Sequence, residues 1–446
     1  MSDKLEIWIA QRYQACAAAL LTSISPVGLC KARPGFGRSV RAMRGTVVAS
    51  PVLGDYDPQP DYFFHWFRDA ALVIDALRVI YLNGAVDDRA VRDLADFVAF
   101  TRGLLELDGR TLVRDTAWRQ RVTPDFLRYL RPAAELAQAH GDVVLDEARV
   151  NADGTLDISR WNRPQRDGAP LTVLALLRWL AIPGLPLALR DDVAALVDRL
   201  LDHVLVRAGE PSHDIWEETL GEHYYNLRVS AAALARGAAW HECHDAHARA
   251  TRERDTAAAL LRRLDAFWSE KLCCYRARMP TDGNSDHLLD ASVILAVIHS
   301  DETSGNSVAG QPHSPSDPHI HATLTALEAH FVQSFAINRQ RARGTGVALG
   351  RYPGDTYYGG GAWPICTFGA AQLCFATARN ATDASAWLAR GDRFLRALQA
   401  RVPPRKPLYE QYTAETGTPT SARELAWANA ACITCCAARR QALARL

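Results

Sequence analysis

Five short segments of the chain place tryptophan or tyrosine beside charged side chains. They are residues 61–69 (Asp-Tyr-Phe-Phe-His-Trp-Phe-Arg-Asp), 160–168 (Arg-Trp-Asn-Arg-Pro-Gln-Arg-Asp-Gly), 214–218 (Asp-Ile-Trp-Glu-Glu), 350–358 (Gly-Arg-Tyr-Pro-Gly-Asp-Thr-Tyr-Tyr) and 408–412 (Leu-Tyr-Glu-Gln-Tyr). A pyranose ring has an apolar face of C–H groups, on which aromatic rings stack, and a rim of hydroxyls, which bind charged side chains. The shared composition therefore indicates a carbohydrate-binding site.

Two glutamates in these segments have the setting that cleavage of a glycosidic bond requires. That reaction uses two carboxyl groups, one protonated and one ionised. Glu217 stands beside Glu218 and Trp216, and a neighbouring carboxylate and an aromatic wall both disfavour ionisation of one of the pair. Glu410 stands between tyrosines, a setting suited to holding a water molecule. We therefore predict Glu217 as general acid and Glu410 as general base, each contributing a factor of about 10²–10⁴ in rate.

Each segment taken alone has a simpler interpretation. A Trp-Glu-Glu triplet at the start of a helix is typical of a solvated first turn, where carboxylates favour the positive end of the helix dipole. The pair Arg68-Asp69 is typical of a surface salt bridge, and residues 163–167 are compatible with an anion site or a plain loop. Five such segments in one chain favour the carbohydrate interpretation.

The segments stand in front of predicted helices. Apolar residues recur at i, i+3, i+4 and i+7 along most of the chain, and no run shows the sustained alternation of a sizeable sheet. The predicted helices are 5–23, 68–82, 87–106, 125–140, 168–182, 189–207, 224–240, 251–270, 287–299, 321–334, 362–378, 383–400 and 421–443. They come in pairs with short connections, and no repeated sequence period indicates an open solenoid. A closed double ring would collect the longer loops, and with them the five segments, at one end.

Length and charge restrict the class of protein. A chain of 446 residues is long enough for two or three ordinary domains. No linker divides it, and residues 301–319 form a loop too short to flank a second domain, so we predict one catalytic domain over residues 1–446. Lys and Arg number 51 against 50 Asp and Glu, which excludes the basic excess of a nucleic-acid-binding protein. No apolar run reaches the ~20 residues of a membrane span.

Cysteine and histidine clusters give no sign of a metal or cofactor. Cys432, Cys435 and Cys436 lie in alanine-rich helical sequence, which favours packing. His313, His319 and His321 lie in a Pro/Ser loop and are interpreted as solvated side chains; we predict no metal and no cofactor. The acidic N-terminus is unlike a secretory signal, so we expect a cytoplasmic protein with reduced thiols.

The sequences of these motifs resemble those of the glucoamylases of glycoside hydrolase family 15. The similar segments occur in the same order, from about residue 40 to the C-terminus. The similar segments are 47–51 with 62–69 (first substrate loop), 161–168 (W-x-R-P-Q-R-D-G), 214–218 (general-acid loop), 350–358 (G-R-Y-P-x-D-T-Y-Y), and 410–412 with 421–427 (general-base segment and last barrel helix). The resemblance implies an all-α (α/α)6 barrel of helix pairs, in which the helix 125–140 is an insertion.

The resemblance also implies an activity. The enzyme would be an inverting, exo-acting hydrolase that releases β-glucose from the non-reducing ends of α-1,4-glucans or maltooligosaccharides. Glu217 would protonate the leaving oxygen, Glu410 would activate water on the opposite face, and Glu218 would bind the next sugar. The substrate-binding residues implied are Tyr62, Trp66, Arg68, Asp69, Trp161, Trp216, Glu218, Arg351, Trp363 and Trp427.

Departures from the family's pattern leave the linkage open. His65 and Phe67 stand where the family often has small hydroxyl residues, and Gly354 and Gly359–Gly361 replace more polar residues. We expect these positions near the second and later sugar sites, so isomaltooligosaccharides, dextran and trehalose are alternative substrates. Helical barrels also serve trehalases, phosphorylases and sugar epimerases. A catalytically silent sugar-binding protein is the non-enzyme alternative, against which the presence of both glutamates argues.

Overall fold

The computed structural model describes residues 2–55, 58–279, 288–301 and 310–446, and helices dominate these residues. The α-helices are α1 (Ser2–Ser23), α2 (Phe67–Leu82), α3 (Arg89–Leu104), α4 (Gly109–Arg114), α5 (Ala133–Gln138), α6 (Gly168–Leu180), α7 (Leu187–Arg207), α8 (Tyr224–Glu242), α9 (His247–Leu264), α10 (Ser292–Ser300), α11 (Pro318–Ser334), α12 (Ala336–Arg339), α13 (Pro364–Ala378), α14 (Ala384–Gln399) and α15 (Ala426–Leu443). Most of the predicted helices are confirmed to within a few residues of their ends.

Twelve of the helices form two concentric rings. The inner ring closes on itself, because each inner helix packs against the next in the order α2, α6, α8, α10, α13, α15 and back to α2. Helices α1, α3, α7, α9, α11 and α14 pack against its outside. The predicted (α/α)6 barrel of helix pairs is therefore confirmed.

The inner and outer helices differ in how much of their surface is buried. Almost every residue of α13 is buried, and so is almost every residue of α10, as expected for helices that are apolar on all sides. The outer helices α9 and α14 bury one face and expose charged residues on the other. Inner helices also bond to each other directly, since the Trp179 indole N–H of α6 donates to Ile74 O of α2 at 2.9 Å.

Short two-stranded antiparallel pairs brace the loops that precede the inner helices. The two-stranded pairs are β1 (Cys30–Arg33) with β2 (Arg38–Arg41), β3 (Phe64–Trp66) with β4 (Arg149–Asn151), β5 (Ser212–His213) with β6 (Leu220–Gly221), β7 (Trp268–Ser269) with β8 (Cys274–Tyr275), and β9 (Tyr409–Tyr412) with β10 (Pro419–Arg423). Strand β3 leads directly into α2, the pair β5–β6 precedes α8, and the pair β9–β10 precedes α15. These strand pairs brace one end of the inner ring.

The predicted helix 125–140 is wrong as a single element. The structure has a 3-10 turn over Pro124–Tyr129 and then the short helix α5. Pro132 interrupts the pattern, because a proline disfavours helical backbone at the residue before it, and α5 begins only at Ala133, directly after this proline. Periodicity alone cannot detect this interruption.

Two other predicted helices include residues that form strands. The prediction 421–443 begins too early, since residues 419–423 pair with β9. Ser421 and Glu424 have φ of 64° and 56°, outside the right-handed helical region. The prediction 251–270 extends too far, because α9 ends at Leu264 and Trp268 begins β7.

The region around residues 287–321 differs from its prediction in part. Residue 287 and residues 302–309 lie outside the described residues, and the prediction 287–299 begins too early, since α10 starts at Ser292. Asp317 accepts a hydrogen bond from His319 N at 2.8 Å, so α11 starts at Pro318, inside the predicted loop. This cap satisfies one of the free N–H groups of the first turn.

The interpretation of the three loop histidines as solvated is wrong for His313. That side chain is 2% exposed, and its ring nitrogens contact Tyr224 OH at 3.0 Å and the Asp265 carboxylate at 3.1 Å. His321 contacts Pro315 O at 2.7 Å, whereas His319 is exposed and stacks on Trp268. Tertiary packing, which a loop-like sequence does not reveal, buries His313.

The cysteines are packed or exposed as single thiols. All ten are free, and Cys432, Cys435 and Cys436 are buried in α15, which confirms the packing interpretation. None of the helices in the described part of the chain is long and apolar enough to cross a membrane.

Candidate active site

The N-terminal ends of the inner helices surround a cavity of about 430 Å³. All of the residues predicted for the site line it, although they come from separate parts of the chain: Tyr62, Trp66, Arg68, Asp69, Trp161, Trp216, Glu217, Glu218, Arg351, Trp363, Glu410 and Trp427. The loops before α2, α6, α8, α13 and α15 supply them, or the first turns of those helices. Ring closure is what brings these segments together.

The first turn of α2 supplies a buried cation surrounded by carboxylates. The Arg68 guanidinium contacts Glu217 at 2.9 Å, Asp167 at 3.4 Å and Asp69 at 3.5 Å. Burial alone would lower the pKa of Arg68, but these carboxylates raise it, so the group stays charged. Burial raises the pKa of Asp69 to about 7, against the opposing effect of Arg68. The pair offers directional hydrogen bonds at the floor of the cavity.

Glu217 lies in the tight loop between β5 and β6. Asp214 braces this loop, because its carboxylate accepts hydrogen bonds from the backbone N–H groups of Trp216 and Thr219, both at 2.7 Å. Glu217 has φ of 67°, a left-handed conformation that costs a non-glycine residue free energy and is typical of functional sites. The short loop between β5 and β6 thus directs the Glu217 carboxyl group into the cavity.

Two donors fix the Glu217 carboxyl group. Arg68 Nη2 donates to Oε1 at 2.9 Å, and the Trp161 indole N–H donates to Oε2 in a short hydrogen bond. Side-chain donors on both oxygens hold the group in one orientation.

Glu410 lies on β9 and is 3% exposed. Ser421 Oγ, across the hairpin on β10, donates a short hydrogen bond to Oε2, and Tyr62 OH donates to Oε1 at 3.1 Å. Tyr62 OH also contacts Tyr357 OH at 2.8 Å. Burial raises the pKa of Glu410 to about 7, and the bonds from Ser421 and Tyr62 oppose that rise.

A bulge in the β9–β10 hairpin positions Ser421. The strand register shifts between Thr420 and Arg423, and Ser421 has φ of 64°. Bulges re-aim a side chain relative to regular pairing. Here the irregularity turns the Ser421 hydroxyl toward Glu410.

The loop before α13 supplies a second arginine that is held by carboxylates. Arg351 makes a two-point contact with Asp355, with Nε and Nη2 at 2.8 and 2.6 Å from its oxygens. Arg351 Nη2 also lies 2.9 Å from the Glu218 carboxylate. Glu218 is 36% exposed at its side chain, so this carboxylate faces the more open part of the cavity.

Aromatic rings form the walls of the cavity. Trp216 lies 5.5 Å from Trp363 and 6.1 Å from Trp427 between ring centroids, and Trp66 lies 6.2 Å from Trp161. The indole nitrogens of Trp363 and Trp427 are buried without a hydrogen-bond partner among the described residues. Buried donors are normally satisfied, so these two favour a ligand that carries acceptor oxygens.

Some functional residues were missed by sequence reasoning. Asp355 and Tyr357 stand inside the predicted segment 350–358, and Asp214 begins the segment 214–218. The aromatic and charged composition of these segments could therefore have identified all three. Asp290 accepts the Trp216 indole N–H at 2.9 Å, yet it stands 74 positions away in sequence. No local pattern could have identified Asp290.

The expectation that His65 and Phe67 lie near sugar sites is wrong. Neither lines the cavity, and they are 1% and 4% exposed. Side chains alternate along strand β3, so Trp66 faces the cavity while His65 packs against Phe97 and Phe100. The glycines at 354 and 359–361 are also absent from the cavity lining.

Comparison with known proteins gives one consistent result. The sequence profile of glycosyl hydrolases family 15 matches residues 33–107 and 131–402. Glucoamylase P of Amorphotheca resinae is 27% identical over 474 residues, covering 96% of this chain and 69% of that protein. Glucoamylase-1 of Schizophyllum commune is 26% identical over 480 residues, covering 98% of this chain and 76% of that protein. The solved structure of a glucoamylase from Saccharomycopsis fibuligera has the same fold, with a TM-score of 0.78, 19% identity and coverage of 99% and 96%.

Proposed function

The chain belongs to glycosyl hydrolases family 15, and from this premise we propose that Glu217 is its general acid and Glu410 its general base. The enzyme is an exo-acting glycoside hydrolase that releases glucose from α-glucans. One observation carries the assignment of roles: two carboxyl groups with different partners line a single cavity walled by tryptophans. Glycosidic cleavage needs two carboxyl groups in one site, one acting as acid and one as base.

In the proposed reaction the terminal glucose occupies the cavity floor. Arg68, Asp69 and Arg351 bind its hydroxyls, and the rings of Trp363 and Trp427 surround it. Glu217 donates its proton to the glycosidic oxygen as the bond from C1 to that oxygen breaks. Glu410 takes a proton from a water molecule, whose oxygen bonds to C1 on the opposite face. The products are β-glucose and a glucan one unit shorter, with Glu217 ionised and Glu410 protonated before the protons return.

The base must be ionised to accept a proton. Burial disfavours that state for Glu410 and raises its pKa to about 7. The hydrogen bonds from Ser421 and Tyr62 stabilise the carboxylate and so keep the base available near neutral pH. We therefore assign Ser421 and Tyr62 to positioning and ionising the base.

Glu218 is proposed to bind the sugar on the leaving side. Its contact at 2.9 Å with Arg351, which is proposed to bind the terminal glucose, and its partial exposure support this assignment. Glu218 would then contribute to substrate affinity rather than to proton transfer.

Two further proposals concern the chain as a whole. We propose a single catalytic domain over residues 1–446, supported by one continuous hydrophobic core that reaches from Leu5 of α1 to Ala442 of α15. We also propose a cytoplasmic location, supported by ten free cysteines of which Cys30, Cys243 and Cys273 are exposed.

The roles of the two glutamates can be tested by isosteric replacement. Glu217→Gln and Glu410→Gln should each lower kcat on maltotriose by about 10²–10⁴-fold, because each removes one proton-transfer group. Glu222→Gln and Glu415→Gln are the matched controls, since both lie close in sequence but outside the cavity. Nearly full activity in either of the first two variants would contradict the assignment.

The stereochemistry and the linkage need a separate measurement. A proton NMR time course on maltoheptaose should show β-glucose first, followed by slow mutarotation. Appearance of α-glucose first would contradict inversion. Initial rates on maltose and isomaltose would then measure the linkage preference, for which we propose α-1,4.

A further inference from the structure

A buried carboxylate outside the five motif segments holds the side chain of Trp216. Asp290 is 4% exposed and lies two positions before α10 begins. The Trp216 indole N–H donates to both of its oxygens, at 2.9 Å to Oδ2 and 3.1 Å to Oδ1. The backbone N–H of Ser292 donates to Oδ1 at 2.6 Å. One carboxylate thus joins the first turn of α10 to a ring that lines the catalytic cavity.

The partners of Asp290 in the described part of the chain are neutral donors. Burial raises the pKa of Asp290 to about 7, and the hydrogen bonds from Ser292 and Trp216 oppose that rise. Burying an unpaired charge costs free energy, whereas a hydrogen bond to an ionised acceptor is stronger than one to a neutral acceptor. The carboxylate therefore holds the Trp216 ring more firmly than a neutral acceptor would, at a cost in burial.

The loop that carries Glu217 is thus held at two points. Asp214 accepts hydrogen bonds from the backbone of this loop, and Asp290 accepts one from the Trp216 side chain. Glu217, the next residue, has φ of 67°, and a strained conformation of this kind persists only where the surroundings hold it. We therefore expect a rotation of Trp216 to displace the Glu217 carboxyl group.

The segment that contains Asp290 also contacts a second loop of the cavity. Ala291 N donates to Arg351 O at 2.8 Å. The Arg351 guanidinium lies 5.4 Å from the centroid of the Trp216 ring, whose other side approaches Trp363. Residues 290–291 therefore connect the loop before α8 to the loop before α13.

We propose that Asp290 is a positioning residue for the hydrolysis, which fixes the general-acid loop, and with it Glu217, by holding the Trp216 indole. This inference rests on the proposed function, in which Glu217 is the general acid. Asp290 does not itself line the catalytic cavity. It therefore acts through Trp216 and not by contact with the substrate.

Asp290→Asn removes the hold on Trp216 while keeping the volume of the side chain. The one remaining carbonyl oxygen can still accept the Ser292 N–H, which leaves an amide N–H group facing the indole N–H. We expect kcat/KM on maltotriose to fall by about 10- to 100-fold, since a hydrogen bond to a charged group is lost and the general acid is displaced. Asp93→Asn is the matched control, because Asp93 is a carboxylate that is 7% exposed, on α3, and does not line the catalytic cavity.

A double-mutant cycle separates this role from a general effect on folding. Trp216→Phe keeps an aromatic ring but lacks the indole N–H. If Asp290 acts through that group, Asp290→Asn in the Trp216→Phe background should lower kcat/KM by no more than about 2-fold. A full additional loss in that background would overturn the proposal, because a merely structural effect of Asp290 would add to that of Trp216.

The leaving group provides a second measurement. Fluoride departs from α-glucosyl fluoride with little need for a proton, whereas the glycosidic oxygen of maltotriose requires one. A misplaced general acid should therefore cost Asp290→Asn much more activity on maltotriose than on the fluoride. Equal losses on both substrates would contradict the route through Glu217, since a folding defect lowers both alike.

Failure of this inference and failure of the proposed function give different results. Additive losses in the cycle, in an enzyme that hydrolyses maltotriose and depends on Glu217, would overturn only the role of Asp290. Nearly full activity of Glu217→Gln would instead overturn the proposed general acid, while the cycle would still measure the coupling between Asp290 and Trp216.

Discussion

At the scale of single residues, the proposed catalysis depends on how the two carboxyl groups are held. Glu217 has donors on both oxygens, from Arg68 and Trp161. Glu410 is more deeply buried and depends on Ser421 and Tyr62 to remain ionised. Both carboxyl groups thus accept hydrogen bonds on each oxygen, but from different partners.

The Ser421 hydroxyl should set the acid limb of the pH profile. As the proposed base, Glu410 can act only when ionised, so activity should be lost as pH falls through its pKa. Ser421→Ala removes a hydrogen bond to the carboxylate, which raises that pKa further. A bond to a charged group is worth roughly 1.5–3 kcal/mol, and 1.36 kcal/mol corresponds to one pH unit. The acid limb of kcat/KM on maltotriose should therefore move to higher pH by about 1–2 units.

A threonine of the same hairpin provides the control. Thr416 lies at the β9–β10 turn and bonds to Thr413 and Thr418. Thr416→Ala should leave the pH profile in place. An acid limb that does not move in Ser421→Ala would show that another group controls it.

At the scale of elements, the barrel depends on close approach between paired helices. Gly391 of α14 faces α13, and a Cβ atom there would lie 2.3 Å from Phe375 Cε1. Gly103 of α3, in contrast, has no atom within 4 Å of an added Cβ. Replacing each glycine with alanine therefore distinguishes the cost of overpacking from the gain in helix propensity.

Gly391→Ala should destabilise the protein. Overpacking costs about 1–3 kcal/mol, which outweighs the roughly 0.5–1 kcal/mol that alanine gains over glycine in a helix. Gly103→Ala has only the favourable contribution, so its Tm should equal or exceed that of the wild type. Thermal unfolding of both variants measures the difference, and a Tm for Gly391→Ala at or above the wild-type value would contradict the tight contact.

At the scale of the whole molecule, the ends of the chain close the double ring. Helix α1 packs against α14 and α15. Arg439 of α15 pairs with Asp392 of α14 at 2.7 Å and with Glu6 of α1. Side-chain exposure is 6% for Arg439, 14% for Asp392 and 49% for Glu6. One buried guanidinium therefore joins both ends of the sequence.

The two partners of Arg439 should contribute unequally to stability. Asp392→Asn removes the buried charge partner and should cost roughly 1–3 kcal/mol, as for a buried polar group left poorly satisfied. Glu6→Gln removes a half-exposed partner and should cost at most about 1 kcal/mol. Urea midpoints and Tm values would measure both, and equal losses would show that burial does not decide the contribution.

Much of the secondary structure could be predicted because its causes are local. The spacing of apolar residues predicted α2 and α13 closely, since a buried helical face is recorded every three or four residues. The predictions for 125–140 and 421–425 failed for local reasons other than apolar spacing. Pro132 interrupts the first region, and Ser421 and Glu424 have positive φ in the second. Neither changes the apolar period, so the period could not reveal them.

By itself, the sequence determined the helices and the motif segments that precede them, because hydrophobic spacing and side-chain type are properties of neighbouring residues. Only the tertiary structure decided which of these residues meet. Tyr62 reaches Glu410 across 348 positions, Trp216 reaches Asp290 across 74, and Tyr129 is bonded to the loop of Trp161. Those contacts exist because the ring of inner helices closes, and no local pattern in the chain records that closure.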